Sequence, residues 1–161
     1  MKRLLIIAVI AAAMAQSAMA QGLKRVYDEK RSGIELIDSA LAVAKAEGKH
    51  VICQVGGNWC VWCLRFAAFI EADEEIKALV NDNYVYIHVN YRRRTEDKDM
   101  LQTMNRLGNP VRFGFPVMVV LDAAGKVLHT QDSSFLESGE GYDRKKVMRF
   151  LQCWTPGETA G

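Results

Sequence analysis

The spacing of apolar and polar positions changes character several times along the chain, and each change marks an element. Residues 4–15 form an unbroken apolar run behind the basic start Lys2-Arg3. From Ser32 the spacing becomes helical. Ile34, Ile37, Leu41 and Ala44 recur on one face, Ser32-Gly33-Ile34-Glu35 has the form of a capping box, and Gly48 ends the run. Val51 to Val55 is short and mostly apolar, which predicts a strand, and Gly56-Gly57-Asn58 breaks it. From Cys60 to about Ile70 the chain is again helix-compatible, and Asp73 is placed to cap a further turn or two through Val80. Tyr84 to Asn90 concentrates aromatic and β-branched residues and predicts the next strand.

The second half continues the alternation. Glu96 to Leu107 reads as a polar helix closed by Gly108, and Asn109 to Phe115 as a turn-rich connection. Pro116 opens Val117 to Leu121, the most continuously hydrophobic strand after the N-terminal run. Asp122-Ala123-Ala124-Gly125 then turns the chain into Lys126 to Thr130, predicting an antiparallel hairpin. Gln131 to Tyr142 reads as a polar loop, and Asp143 as the cap of a last helix whose Val147, Phe150, Leu151 and Trp154 face the core. Helices alternating with strands imply parallel pairing with helices on both sheet faces, and the hairpin adds antiparallel strands. The expected fold class is a single mixed α/β domain over residues 32–155. Residues 21–31 form a polar lead-in, either flexible or a short edge strand, and 156–161 a flexible tail.

The N-terminal run sets the compartment. Basic start, apolar stretch and Ala18-Met19-Ala20 together have the form of a secretory signal cleaved after Ala20. Twelve apolar residues rise only about 18 Å as a helix, short of the roughly 30 Å hydrocarbon core, so no stable membrane insertion is expected after cleavage. Both surplus charges of the formal +2 lie in this segment, at Lys2 and Arg3, leaving acids and bases balanced from Gln21 onward. That balance argues against nucleic-acid binding. Half the 161 residues are apolar, which allows a sizeable core. The expected location is periplasmic or secreted, where disulfides persist.

All four cysteines, Cys53, Cys60, Cys63 and Cys153, follow the signal. Cys60 and Cys63 form a Cys-x-x-Cys at the mouth of a predicted helix, directly after a strand. There the unsatisfied backbone N–H groups and the helix dipole stabilise a thiolate. Cys60 is the candidate nucleophile. Cys63, one turn deeper on the same face, is placed to resolve a mixed disulfide formed on Cys60. A zinc site would need two further ligands at matching spacing, but His50, His88 and His129 are isolated. Covalent haem attachment requires His after the second cysteine, where Leu64 stands. An inert bridge is the remaining alternative, although so short a loop stabilises little.

Trp59-Cys60-Val61-Trp62-Cys63 after a strand, with Gly114-Phe115-Pro116 before a hydrophobic strand and Asp122-Ala-Ala-Gly-Lys126 after it, resembles the thioredoxin superfamily. It is most similar to its exported members with a W-C-x-W-C motif. The resemblance implies a thioredoxin-like fold and a protein thiol:disulfide oxidoreductase that needs no metal or organic cofactor. It also implies that Pro116 is a cis proline beside the cysteines and that Phe115 faces substrate. Trp59 is expected to add an apolar docking surface, Trp62 to dock or to pack, and Phe66 and Phe69 to pack in the core. Where thioredoxins carry a buried acid in the strand before the motif, this chain has Gln54, so water, Glu71 or Asp73 would have to substitute. Implied partners are cysteine-containing exported proteins and a redox protein that recycles the pair. A binding module or holdase for extended polypeptide, with structural cysteines, is the alternative. Arg92-Arg93-Arg94, followed by Glu96, Asp97 and Asp99, reads as a solvated loop with local ion pairing in preference to the alternative, a recognition patch for acidic partners. Cys53 and Cys153 are either two separate buried thiols or a second disulfide joining the last helix to the central strand.

Overall fold

The computed structural model describes residues 22–93 and 97–157; the expected signal at 1–20, Arg94 and the last four residues lie outside them. The elements run α1 (Gly33–Glu47), β1 (His50–Gly56), α2 (Val61–Ala72), α3 (Glu74–Asn83), β2 (Tyr84–Asn90), α4 (Lys98–Arg106), β3 (Val117–Leu121), β4 (Val127–Asp132), β5 (Glu137–Ser138), β6 (Gly141–Tyr142) and α5 (Arg144–Cys153). The main sheet has the order β2-β1-β3-β4. β1 runs parallel to β2 and antiparallel to β3, and β3 runs antiparallel to β4. The sequence-derived α/β fold with helices on both faces is the fold observed.

Strand alternation divides the core. Val51, Cys53 and Val55 of β1, with Val119 and Leu121 of β3, pack against Ile37, Ala40 and Ala44 of α1 and Met100 and Met104 of α4. Ile52, with Met118 and Val120 of β3, faces Phe66 and Ile70 of α2, Ile76 and Val80 of α3 and Val147, Phe150 and Leu151 of α5. Every residue of β1 is buried, which explains why it reads as a continuous apolar run rather than an alternating one. The capping expectations hold: Ser32 accepts the Glu35 N–H, Asp73 those of Glu75 and Ile76, and Asp143 that of Lys146.

Four boundaries differ from the sequence reading. α4 is capped by Asp97, whose carboxylate accepts the N–H groups of Asp99 and Met100 and sets the start at Lys98. Lys126 belongs to the turn, because its N–H, with that of Ala124, is taken by the Asp122 side chain; β4 therefore spans Val127–Asp132. Residues 131–142 are ordered by the end of β4, a 3₁₀ turn at Ser133–Leu136 and the β5–β6 hairpin. Tyr142 is the reason: its buried ring meets Trp62, Phe66 and Phe69, and its hydroxyl donates to the Trp62 carbonyl at 3.0 Å. The lead-in is neither a strand nor loose where it is described. The Asn58 Oδ1 accepts the N–H groups of Val26 and Tyr27, each at 3.1 Å, and its Nδ2 donates to the Tyr27 carbonyl at 2.8 Å.

Candidate functional site

β1 ends at Gly56, and after Gly57-Asn58-Trp59 the chain enters α2 with Cys60 as its N-cap. The Cys60 Sγ accepts the Cys63 N–H at 3.2 Å, so the sulfur occupies the place a capping oxygen usually takes. Cys60 and Cys63 are joined in a disulfide with their Cα atoms 5.3 Å apart. Cys60 reaches the edge of the surface at 9% exposure, whereas Cys63 is fully buried. At the helix mouth Cys60 thus keeps a small residual exposure, and Cys63, behind it, has none.

Around the pair lie Tyr27 and Leu64, with Leu23, Val26, Trp62 and Phe115 packed against them. The Phe115–Pro116 peptide is cis, and Val117 pairs with Val55 in the ladder, which brings Pro116 to the end of β1 where the cysteines begin. Trp59 is 42% exposed. Its indole N–H donates to the Tyr91 carbonyl at 3.0 Å, its ring meets Phe115 edge-on at 5.2 Å, and the Arg93 guanidinium lies 4.4 Å over it. Arg92 pairs with Asp97 and donates to the Glu29 carbonyl. Two arginines of the basic run are therefore engaged locally. Trp62 is half-buried, between Tyr142 and the Arg65 guanidinium.

Behind the disulfide sits Gln54, fully buried. Its Nε2 donates to the Cys63 carbonyl at 2.9 Å and to the Tyr27 hydroxyl at 2.6 Å, and its Oε1 accepts from the Tyr86 hydroxyl. Burial pushes the phenol pKa values of Tyr27 and Tyr86 well above the ordinary range, so both stay protonated. His88 stands opposite Gln54 on β2 and packs edge-on against Tyr27 and Tyr86. Burial lowers its pKa to about 4, with Glu71 acting in the opposite direction. The acids considered as substitutes for a buried carboxylate are held elsewhere. Glu71 pairs with Lys77, and Asp73 caps α3 and pairs with Arg144.

The second disulfide is not present. Cys53 and Cys153 are free thiols: Cys53 points into the α1/α4 side of the sheet, whereas Cys153 ends α5 on the opposite side and is exposed. The sheet itself separates them, and Cys153 is not the buried thiol of the other reading. Burial pushes the Cys53 pKa up to about 12, partly offset by Arg106, which makes that thiol unreactive. The isolated histidines have structural partners as well. His50 Nδ1 lies 2.9 Å from the Trp154 carbonyl, and the His129 ring stacks on Trp154. Among the described residues no cluster of three or more His, Cys, Asp or Glu could hold a metal ion. No helix among them is long and apolar enough to cross a membrane.

Tyr27 and Tyr142 are the site residues that sequence reasoning missed. Neither lies within a periodic run; each was an aromatic in a polar segment, and that mismatch was the only available signal.

A family model described as thioredoxin-like matches residues 34–123, which include both β1–α2 with its cysteines and the Phe115–Pro116 turn. The chain belongs to the thioredoxin-like family. A curated relative, the thiol:disulfide interchange protein DsbD of Vibrio cholerae, is 26% identical over 98 residues, covering 60% of this chain; the chain spans only 16% of that protein's length. Among solved thioredoxin-like folds, a disulphide isomerase from Xylella fastidiosa superposes with a TM-score of 0.69 at 23% identity, covering 81% of this chain and 97% of the other. A thioredoxin from Thermus thermophilus gives 0.52 at 20% identity, covering 81% and 85%.

Proposed function

We propose that this thioredoxin-like protein is an exported thiol:disulfide oxidoreductase that exchanges disulfides with protein cysteines through Cys60 and Cys63. The observation that carries the reading is the disulfide at the N-cap of α2, with Cys60 slightly exposed and Cys63 fully buried behind it. The DsbD relative, named for thiol:disulfide interchange, supports it. In the reducing direction the Cys60 thiolate attacks one sulfur of a substrate disulfide and expels the other as a thiolate. Cys63 then attacks the Cys60 sulfur, closing the intramolecular bridge and releasing the second substrate thiolate. The two electrons stay with the substrate, and a partner redox protein returns the pair to its dithiol form. The reverse sequence oxidises a substrate dithiol.

The N–H of Cys63 already points at the Cys60 sulfur, so the donor that steadies a thiolate there needs no rearrangement. Trp59 and Phe115 form an aromatic shelf beside the pair, and Pro116 sits at the end of the central strand. In this proposal they receive an extended segment of the substrate. Export rests on the N-terminal pattern, with cleavage after Ala20 and release into the periplasm or medium. Insulin reduction by the wild type and by Cys60→Ser tests the reading: turnover is expected to vanish in the variant, and equal rates would overturn it.

The exposed faces of Trp59 (42%), Val61 (43%) and Phe113 (41%) favour a second reading, capture of extended polypeptide without chemistry. It predicts peptide binding that persists in Cys60→Ser and is the same in oxidised and reduced protein.

A further inference from the structure

The hydrogen-bond directions behind the disulfide leave one proton unassigned. The Cys63 carbonyl can only accept, so the Gln54 atom 2.9 Å from it is the amide nitrogen. That same nitrogen lies 2.6 Å from the Tyr27 oxygen and donates to it. The other amide atom accepts from Tyr86. Tyr27 is therefore an acceptor toward Gln54, and its own O–H is not used in that contact.

Gly56 shows where that O–H can go. A side-chain carbon placed on Gly56 would collide with the Cys63 sulfur and come within 2.8 Å of the Tyr27 oxygen. The sulfur and the hydroxyl thus border the same glycine, at the floor of the site. Tyr27 is 5% exposed and Cys63 fully buried, so water has little access there. Glu71 is ion-paired with Lys77 and acts here only on His88, and Asp73 is ion-paired with Arg144.

We propose that, on reduction of the disulfide, the Tyr27 hydroxyl donates a hydrogen bond to the Cys63 sulfur and stabilises it as the thiolate that resolves the mixed disulfide. The inference rests on the oxidoreductase reading and adds a residue to it. The step is Cys60–S–S–R plus Cys63–SH giving the Cys60–Cys63 disulfide plus R–SH. The Cys63–Cys60 bond forms as the Cys60–substrate bond breaks, and the proton lost by Cys63 reaches the departing sulfur through solvent. Tyr27 does not take that proton. Burial keeps its phenol neutral, so it acts as a donor and not as a base. Gln54 and Asn58 hold it in place from its two ends, the hydroxyl and the backbone. The other titratable groups facing this space are Tyr86, Tyr142 and His88.

The test is single-turnover release of a thiol from a preformed Cys60 mixed disulfide, followed across a pH series in wild type and Tyr27→Phe. Loss of a hydrogen bond to a charged group predicts about tenfold slower release at neutral pH. The rate profile should move to higher pH, and the two proteins should converge once Cys63 is fully ionised. Tyr84→Phe, whose hydroxyl bonds the Leu151 carbonyl at the other end of the sheet and takes no part in the Gln54 network, should keep the wild-type profile. Coincident profiles for Tyr27→Phe and wild type would overturn the proposal. Should Tyr27→Phe not fold, carbon NMR of the Tyr27 ring in the reduced wild-type chain decides. The ring carbon bearing the hydroxyl is expected to shift as Cys63 titrates, and no shift refutes the contact. Formation of the mixed disulfide by Cys60 is scored separately. Its failure removes the oxidoreductase reading, while the NMR measurement still reports on Tyr27.

Discussion

His88 shows what burial does to one side chain. It is wedged between two tyrosine rings, and its Nε2 has no partner, an arrangement that only the neutral imidazole tolerates. An unfolded histidine takes a proton near pH 6.5, at about the usual value, whereas folded His88 does so only near 4. Between those values the unfolded chain binds more protons, so stability is lost as the pH falls, by up to about 3 kcal/mol. Urea midpoints at neutral pH and at about pH 4.5 should separate more in the wild type than in His88→Phe. The residues that the fold brings together at the candidate site divide by how local their signal is. Cys60, Cys63, Trp59, Phe115 and Pro116 were legible because each belongs to a short run whose spacing carries meaning. Gln54 was legible only as a departure from a pattern. Tyr27 was not, because it reaches the cysteines through Asn58 and Gln54, 31 and 27 residues away in sequence.

Between elements, the joint of α1 with α4 makes the same point about distance. The N-cap at Ser32 was readable, but the structure adds Asp99 from α4. Its carboxylate accepts the Ser32 hydroxyl at 2.5 Å and the Gly33 N–H at 2.9 Å. One acid thus satisfies an orphan donor at the start of another helix. Desolvation raises the Asp99 pKa, but the hydrogen bonds from Ser32 and Gly33 outweigh it and hold the carboxyl below its usual value. Asp99→Ala is expected to cost about 1–2 kcal/mol at neutral pH. Because a depressed acid contributes only while ionised, the difference from wild type should shrink as pH falls through the carboxylate range, read from denaturant midpoints. The same dependence on tertiary contact explains the misread segment at 131–142. Ser133, Ser134, Ser138, Gly139 and Gly141 give it the composition of a loop, but the buried Tyr142 and Leu136 fasten it to the α2/α5 face.

For the molecule as a whole, the alternation of helices and strands was sufficient to anticipate a sheet covered on both faces, since each strand's two sides need cover. It could not anticipate that a polar lead-in closes the site. Trimming the chain to begin at Ser32 removes Tyr27 and the partners of Asn58, and a thermal melt should show a loss of about 3 kcal/mol, the scale of deleting a buried aromatic. A melt unchanged by the trim would mean the segment contributes no packing. The anchoring of Trp154 to His50 has a practical corollary. α5 finishes beside the start of β1, and the sulfurs sit past its far end, so seven residues of strand, roughly 20 Å, lie between the carboxyl-terminal side and the reactive mouth. The segment leading into Tyr27, by contrast, packs through Leu23 and Val26 against the cysteine cluster itself. If the proposed exchange with protein cysteines holds, an affinity handle or reporter fused downstream of Trp154 should leave large substrates free to approach, whereas one joined just ahead of Tyr27 would stand in their way.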